Sequence, residues 1–433
     1  MNKLTRRSRN SRPKTKFIRT LGCILLLFLA VFSPITIYFI HDAGSLKQLV
    51  NSGINLFPHN PPGQSINLPP QSSQNKQGNQ GNQPPSHSGI GAGTGKEKGN
   101  GCGETQNSNG SFTFSPLHVS NGTIVDQNNC AVPLVGLNMG GLFLGAAGHA
   151  DPTVLSWYSQ NIPMNVVREA YNAYWWDTDV YVPNEKMHFR QWLETVVKWQ
   201  EQQGNYVILD NATQFHNPPC GDDGMGYHVS LCPSQNQAQK NTPPDPTELS
   251  SYQPTALAAL ADLAKIYAND PAVIFDVWNE PSNSELKGMS WQTYSASMND
   301  RINTVRRYDP HALVMVFDHD LSYIESGKFS NFTQPNLVWD SHIYSPNWNP
   351  DNGMADNVAF ARSHGQAYII GEWGGMNGQP TPDTLMPFIS ANTVASTYFF
   401  STYLINGGEQ HPKSLNSIGQ ALAASYGSIL QSP

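Results

Sequence analysis

Charge is scarce in this chain. Only 13% of its 433 residues are Asp, Glu, Lys or Arg, and 25 bases face 32 acids, a formal net charge of −7. Eight of the bases (Lys3, Arg6, Arg7, Arg9, Arg12, Lys14, Lys16, Arg19) crowd the first 20 positions, which hold no acid. The remainder is strongly acidic, and a nucleic-acid partner, which selects basic surfaces, is excluded. Cysteine is also scarce: there are five, with no C-x2-C spacing and no nearby His pair to suggest zinc. A Gly-rich phosphate loop is missing, because Gly136-Leu137-Asn138-Met139-Gly140-Gly141 matches the dinucleotide fingerprint poorly. Asn138-Met139-Gly140 also stands where a metal-dependent barrel hydrolase would want His-x-His.

The long uncharged apolar run is Leu21 to Ile40, 20 residues. A signal-peptide core takes about 7–15 apolar residues and a membrane span about 20. The run therefore reads as an uncleaved signal anchor; the alternative is a signal peptide cut near Ala43-Gly44. The basic flank (1–20) puts the N-terminus in the cytoplasm and everything after His41 outside. Cys23 lies within the run. Cys102, Cys130, Cys220 and Cys232 form an even set in an oxidising compartment. Three pairings are open, and proximity favours Cys102–Cys130 with Cys220–Cys232.

Residues 41–110 are read as a disordered linker; from 58 they are rich in Pro, Gln, Asn, Ser and Gly, with almost nothing apolar to bury. A folded domain is expected over 111–433, opened by a small hairpin at 117–125. Eight strands follow, at 133–138, 164–169, 205–210, 273–278, 312–317, 337–341, 367–371 and 394–400. Several are continuous apolar runs, as buried parallel strands should be. Helical patterns separate them at 187–203, 255–269, 289–308, 354–364, 383–392 and 413–430, with shorter ones at 152–160 and 321–329. Strict alternation predicts α/β architecture with a parallel sheet, and eight repeats predict a (β/α)8 barrel rather than an open doubly wound sheet. The loop 211–253 is long enough to wall a cleft, stiffened by Cys220–Cys232.

Two glutamates each end a β-rich run. Glu280 closes Val273-Ile274-Phe275-Asp276-Val277-Trp278-Asn279-Glu280-Pro281, and Glu372 sits in Tyr368-Ile369-Ile370-Gly371-Glu372-Trp373-Gly374-Gly375. Strand C-termini are where such a barrel places its chemistry, and a pair of carboxyls is what glycoside hydrolysis requires.

Trp278-Asn279-Glu280-Pro281 resembles the acid/base motif of glycoside hydrolase family five, the cellulase family of clan A. Ile370-Gly371-Glu372-Trp373-Gly374 is similar to its nucleophile motif. Val166-Val167-Arg168, His342-Ile343-Tyr344 and Gly136-Leu137-Asn138 match in kind and order, and the resemblance covers about 115–430. It implies a retaining hydrolase of β-linked polysaccharide, endo-β-1,4-glucanase-like or β-mannanase-like, with no cofactor. Glu280 would be the acid/base, in surroundings less polar than those of Glu372. Glu372 would be the nucleophile, kept ionised by Arg168 and Tyr344. Asn279 would reach the sugar 2-hydroxyl and His342 would line the site. Asn138, Trp348, Trp373 and Phe400 complete the expected substrate contacts, with Phe399 as the other strand-eight candidate. Trp175 and Trp176 are either sugar platforms or packing under a loop. An ion pair with Glu169 is the other reading of Arg168. Asp210, Asp276 and Asp340 read as structural hydrogen-bonding groups. Two departures from the family stand out: Ala212 where a His is usual, with His216 displaced, and no strand-eight Trp. An exo-β-glucosidase or transglycosylase, and an inactive carbohydrate-binding barrel, are the alternatives. Nothing suggests assembly, so a monomer is expected.

Overall fold

A computed structural model describes residues 102–139, 152–179, 181–182, 186–212, 249–281, 290–317, 332–344, 353–374, 380–399, 401–408 and 411–431. The expected membrane span over 21–40, the linker up to 101, the second disulfide, and most of the 211–253 loop lie outside these residues. So do the helix expected at 321–329, His216, Trp348 and Phe400. Among the described residues, no helix is long and apolar enough to cross a membrane.

Eight parallel strands close into a barrel: β5 (Val135–Asn138), β6 (Val166–Tyr171), β9 (Tyr206–Asn211), β10 (Val273–Asp276), β11 (Val314–Phe317), β12 (Leu337–Ile343), β13 (Ala367–Trp373) and β14 (Ala395–Tyr398), while β7 (Tyr181–Val182) and β8 (Met187–His188) form a separate antiparallel pair. Each barrel strand pairs with the next in chain order, and β14 returns to β5. All eight expected strands are present. Helices follow strands around the outside, among them α1 (Pro152–Asn161), α2 (Ala173–Thr178), α3 (Phe189–Gln202), α4 (Leu249–Ile266), α5 (Trp291–Tyr308), α6 (Met354–Ser363) and α7 (Pro382–Asn392). In α3, Phe189, Trp192, Leu193, Val196 and Val197 form the buried stripe, and Gly204 ends the turn at φ +77°.

Side chains alternate across each strand, so every strand divides its residues between helices and barrel interior. Val167, Val207, Leu209 and Phe275 face the helix layer in one large apolar cluster. Val166, Ile208, Ile274, Met315, Val338 and Ile369 fill the lower interior in a second cluster. One step further along the same interior rows come Arg168, Asp210, Asp276 and Asp340, all buried. The barrel is thus oily at its floor and ionic at its mouth.

The floor is plugged by two hairpins, β1 (Glu104–Gln106) with β2 (Phe112–Phe114), and β3 (His118–Ser120) with β4 (Thr123–Val125). Leu117, Ile124 and Val132 join the lower interior cluster, with Cys102 packed against it. Cys102 and Cys130 form a disulfide, as proximity suggested. Buried Asp126 accepts from the backbone N–H groups of Asn128 at 2.8 Å and Cys130 at 3.0 Å, which fixes the Cys130 turn.

Several boundaries differ from expectation, and α4 begins at Leu249, inside the stretch expected to be loop. Residues 104–106, assigned to the linker, form β1, because Asn107 and Gly110 make a turn that lets them pair with β2. The helix expected from 413 begins at Ser417. The preceding residues form an antiparallel pair, β15 (Ile405–Gly408) with β16 (His411–Leu415), before α8 (Ser417–Gln431).

Candidate active site

Arg168 sits at the centre of the barrel mouth, 2% exposed. Its Nη1 donates to Glu372 Oε1 at 2.6 Å and Asn138 Oδ1 at 3.0 Å. Its Nη2 donates to Asp276 Oδ2 and Asn279 Oδ1, both at 2.8 Å, and lies 3.1 Å from Asp210 Oδ1. Burial opposes a charged guanidinium, but Asp210, Asp276 and Glu372 outweigh it and hold its pKa well above the ordinary value. Burial pushes the Asp276 carboxyl up to about 6 despite Arg168, and raises Asp210 as well. The alternative pairing with Glu169 does not form. Glu169 points to the helix layer, where Gln200 donates to it at 3.1 Å and burial raises its pKa to about 8.

Asn138 was expected to touch substrate. Its amide donates to the carbonyls of Gly371 at 2.8 Å and Thr397 at 3.2 Å. With its oxygen on Arg168, it ties β5, β6, β13 and β14 together instead. Gly371 is required here: an added Cβ would meet Asp340 Oδ1 at 2.3 Å, the oxygen that accepts from the Gly371 N–H at 2.7 Å.

Glu372 and Tyr344 meet through a hydrogen bond from the phenol to Oε2. Desolvation and the Glu372 charge keep that phenol protonated, well above its ordinary range. Glu280 lies four residues past β10, with φ +39°, a left-handed backbone that a non-glycine residue adopts at a cost. Its Oε1 contacts His342 Nδ1. A bulge in the β12–β13 pairing moves His342 opposite Glu372, where an unbroken register would give it Gly371. His342 Nδ1 also lies 3.4 Å from Glu372 Oε2, and Nε2 lies 3.3 Å from Asp340 Oδ2. Burial disfavours an imidazolium, yet Glu372, Asp340 and Glu280 raise its pKa well above the ordinary value. The expectation of a less polar niche for Glu280 is corrected: its side chain is 35% exposed and bonded to His342. Exposure at the mouth and the neighbouring imidazole give it a polar setting.

The structure thus gathers Glu280, Glu372, Arg168, Asn279, His342, Tyr344 and Asn138 at one pole. Trp373 is a correction: it is fully buried, with its ring edge-on to Tyr398 at 4.9 Å, so it offers no face for a sugar. Its outward strand position carries it into the helix layer. Trp175 and Trp176 are buried too. Trp176 donates to Asp262 at 3.3 Å beneath the Arg190 guanidinium, so packing is the reading that stands. Phe399 is half-buried beside the Tyr344 ring, 5.8 Å between centroids. Ala212 is packed with Ala170, Phe399 and Tyr403, an apolar patch where a His was expected.

The description Cellulase (glycosyl hydrolase family 5) matches residues 125–403, and the chain belongs to this family. It is 25% identical over 269 residues to Endoglucanase 5 of Pectobacterium carotovorum subsp. carotovorum, covering 60% of this chain and 44% of that one. The chain spans about half the length of the curated relatives it matches. Among solved structures, the catalytic domain of Thermobifida fusca endoglucanase Cel5A overlays with a TM-score of 0.53 at 15% identity, covering 72% of this chain and 97% of that one. A Thermomonospora fusca β-mannanase in complex with mannotriose overlays at 0.51 and 14% identity, covering 73% and 96%. These likenesses concern the fold.

Proposed function

We propose that the chain is a retaining glycoside hydrolase that cleaves a β-linked polysaccharide by double displacement. The observation carrying this reading is the spacing of the carboxyls: an oxygen of Glu280 and an oxygen of Glu372 lie within 4.8 Å of each other. Retaining glycosidases hold the pair about 5 Å apart, whereas inverting ones leave about 6.5–9.5 Å for a water. Glu372 attacks the anomeric carbon, its charge favoured by Arg168 and its orientation set by Tyr344. Glu280 protonates the departing oxygen and then takes a proton from the incoming water. His342 supports Glu280 in both steps, and Asn279, oriented by Arg168, faces the sugar hydroxyls. No cofactor enters this scheme.

The substrate class is a neutral β-1,4-glucan or β-mannan. The names of the relatives and the presence of endoglucanases and a β-mannanase among the fold neighbours support both. We further propose an exported, monomeric domain tethered by the 21–40 signal anchor through the linker. The Cys102–Cys130 disulfide supports an oxidising compartment.

The test is reducing-sugar release by the full chain from carboxymethyl cellulose, mixed-linkage glucan, xyloglucan, mannan, xylan and β-1,3-glucan. Activity on one of them that falls about 10²–10⁴-fold in Glu280→Gln and at least as far in Glu372→Gln is expected. Proton NMR of the first product should show the β-anomer. Release of the α-anomer overturns the double displacement, and silence of a folded protein on every polymer overturns the polysaccharide reading.

A further inference from the structure

Three atoms at the barrel mouth converge on one small space: Glu280 Oε1, His342 Nδ1 and Glu372 Oε2, all within 4.8 Å of one another. A tetrahedral zinc with N and O bonds near 2.1 Å spaces its ligand atoms by about 3.4 Å. His342 Nδ1 and Glu372 Oε2 already stand 3.4 Å apart, and Glu280 Oε1, now hydrogen-bonded to Nδ1, reaches that spacing by drawing back toward the exposed side as the shared proton leaves.

The surroundings are those of a metal-binding imidazole. The far nitrogen of His342 faces Asp340 Oδ2 at 3.3 Å, and Asp340 is anchored through Oδ1 by the Gly371 N–H. A carboxylate behind a histidine orients the ring and strengthens its other nitrogen as a ligand. The other oxygen of Glu372 is held by Arg168, so Oε2 faces the shared space, where the Tyr344 hydroxyl that donates to it would share it with the ion or turn away. Charge points the same way: among the described residues, the carboxyls of Asp210, Asp276, Asp340, Glu280 and Glu372 are paired with two cationic groups, Arg168 and His342. Among the described residues, Glu280 and Tyr344 are the exposed members of this cluster, at 35% and 40%.

We propose that these three residues form an inhibitory site for a divalent transition-metal ion. The ion coordinates His342 Nδ1 and one oxygen from each glutamate, and the proton of the Glu280–His342 contact leaves to solvent. Both carboxyls are then occupied: one has no proton to give, the other no free oxygen for the anomeric carbon. A polar, partly exposed acid/base on a histidine is what makes this centre susceptible. The inhibition rests on the hydrolase reading, but binding itself is read without any substrate.

Calorimetric titration of the full chain with zinc chloride tests it, alongside visible spectra of the cobalt(II) form. One zinc per chain is expected, with at least tenfold weaker binding in His342→Gln and in Glu280→Gln. Asp340→Asn should weaken it about 10–100-fold. His118→Ala and His188→Ala, which remove surface histidines, should leave it unchanged. The cobalt form should show tetrahedral d–d bands that vanish in His342→Gln. Circular dichroism melts confirm that each variant is folded, and partly exposed Glu280 is the substitution least able to disturb the fold. No binding up to millimolar zinc overturns the proposal. So does binding that survives both ligand variants or follows the surface histidines. Failure here leaves polysaccharide hydrolysis untouched, and failure on every polymer leaves the zinc titration readable.

Discussion

Arg168 and Glu372 are 204 residues apart in the chain and 2.6 Å apart at the barrel mouth. The contact joins the second barrel strand to the seventh, through an interior where neither partner reaches water freely. Its worth lies in geometry. Arg168 fixes one oxygen of Glu372 and turns the other toward Tyr344, His342 and the open mouth.

Replacing Arg168 with Met should therefore damage both stability and activity. Removing one partner of a buried ionic cluster leaves carboxylates without compensation, at a cost of about 3–5 kcal/mol. Thermal unfolding should show a large fall in Tm. Arg168→Lys should restore part of the stability but little activity, because an ammonium cannot reach Glu372, Asn138, Asp276 and Asn279 together. Equal melting temperatures for wild type and Arg168→Met would contradict this account.

Tyr344→Phe removes a single hydroxyl from the Glu372 carboxylate. A hydrogen bond to a charged group contributes about 1.5–3 kcal/mol, which translates to about a 10–100-fold loss in kcat/KM. Tyr344 lies partly in solvent, so the melting temperature should scarcely move. Steady-state kinetics beside a thermal melt separates the two effects.

Glu169 gives the fold a pH dependence with a defined sign. Its folded pKa of about 8 lies above the ordinary 4.5, so the folded state binds the extra proton. That contribution is fully present below about pH 4.5 and is lost as pH rises through 8. Glu169→Gln keeps an acceptor for Gln200 and has no charge to bury. The Tm advantage of the variant over wild type should widen between pH 5 and pH 9. A constant gap would show that Glu169 does not titrate in this range.

Gly371→Ala should disable the site through a single methyl group. The added carbon would displace the Asp340 carboxylate, which orients His342. Activity should fall more than stability, and crystallography of the variant should find His342 turned.

Restoring the usual family residue with Ala212→His should cost about 1–3 kcal/mol, as overpacked sites do. Ala212 is 2% exposed and already filled around by Phe399 and Tyr403. A variant as stable as wild type would mean that the patch yields more readily than its packing suggests.

The barrel was legible because buried parallel strands carry their signal in composition. Runs such as Ala312-Leu313-Val314-Met315-Val316-Phe317 have few other fates. Glu280 and Glu372 were legible because each follows such a run. The direction each aromatic faces was not. Trp373 and Trp176 differ from sugar platforms only by which side of a strand or short helix they occupy, and local sequence does not announce it. The His342 bulge is invisible for the same reason, since it depends on how β12 and β13 align. The aspartates were the subtler case. Val207-Ile208-Leu209-Asp210, Ile274-Phe275-Asp276 and Val338-Trp339-Asp340 repeat one pattern, apolar residues and then an acid. Structural roles were expected for them, and that repetition is what would have linked them to Arg168. The end of β16 was hidden inside a stretch read as helix, because Lys413 to Leu415 carries no strong turn signal of its own, and β15, which precedes that stretch, was not anticipated.

The two small hairpins and the Cys102–Cys130 bridge close the barrel from below, while every reactive group opens above. The polypeptide preceding Cys102 is therefore attached at the heel of the domain. The covalent staple and the reactive groups thus stand at opposite ends of the barrel, with the apolar cluster around Leu117, Ile124 and Val132 on the side of the bridge.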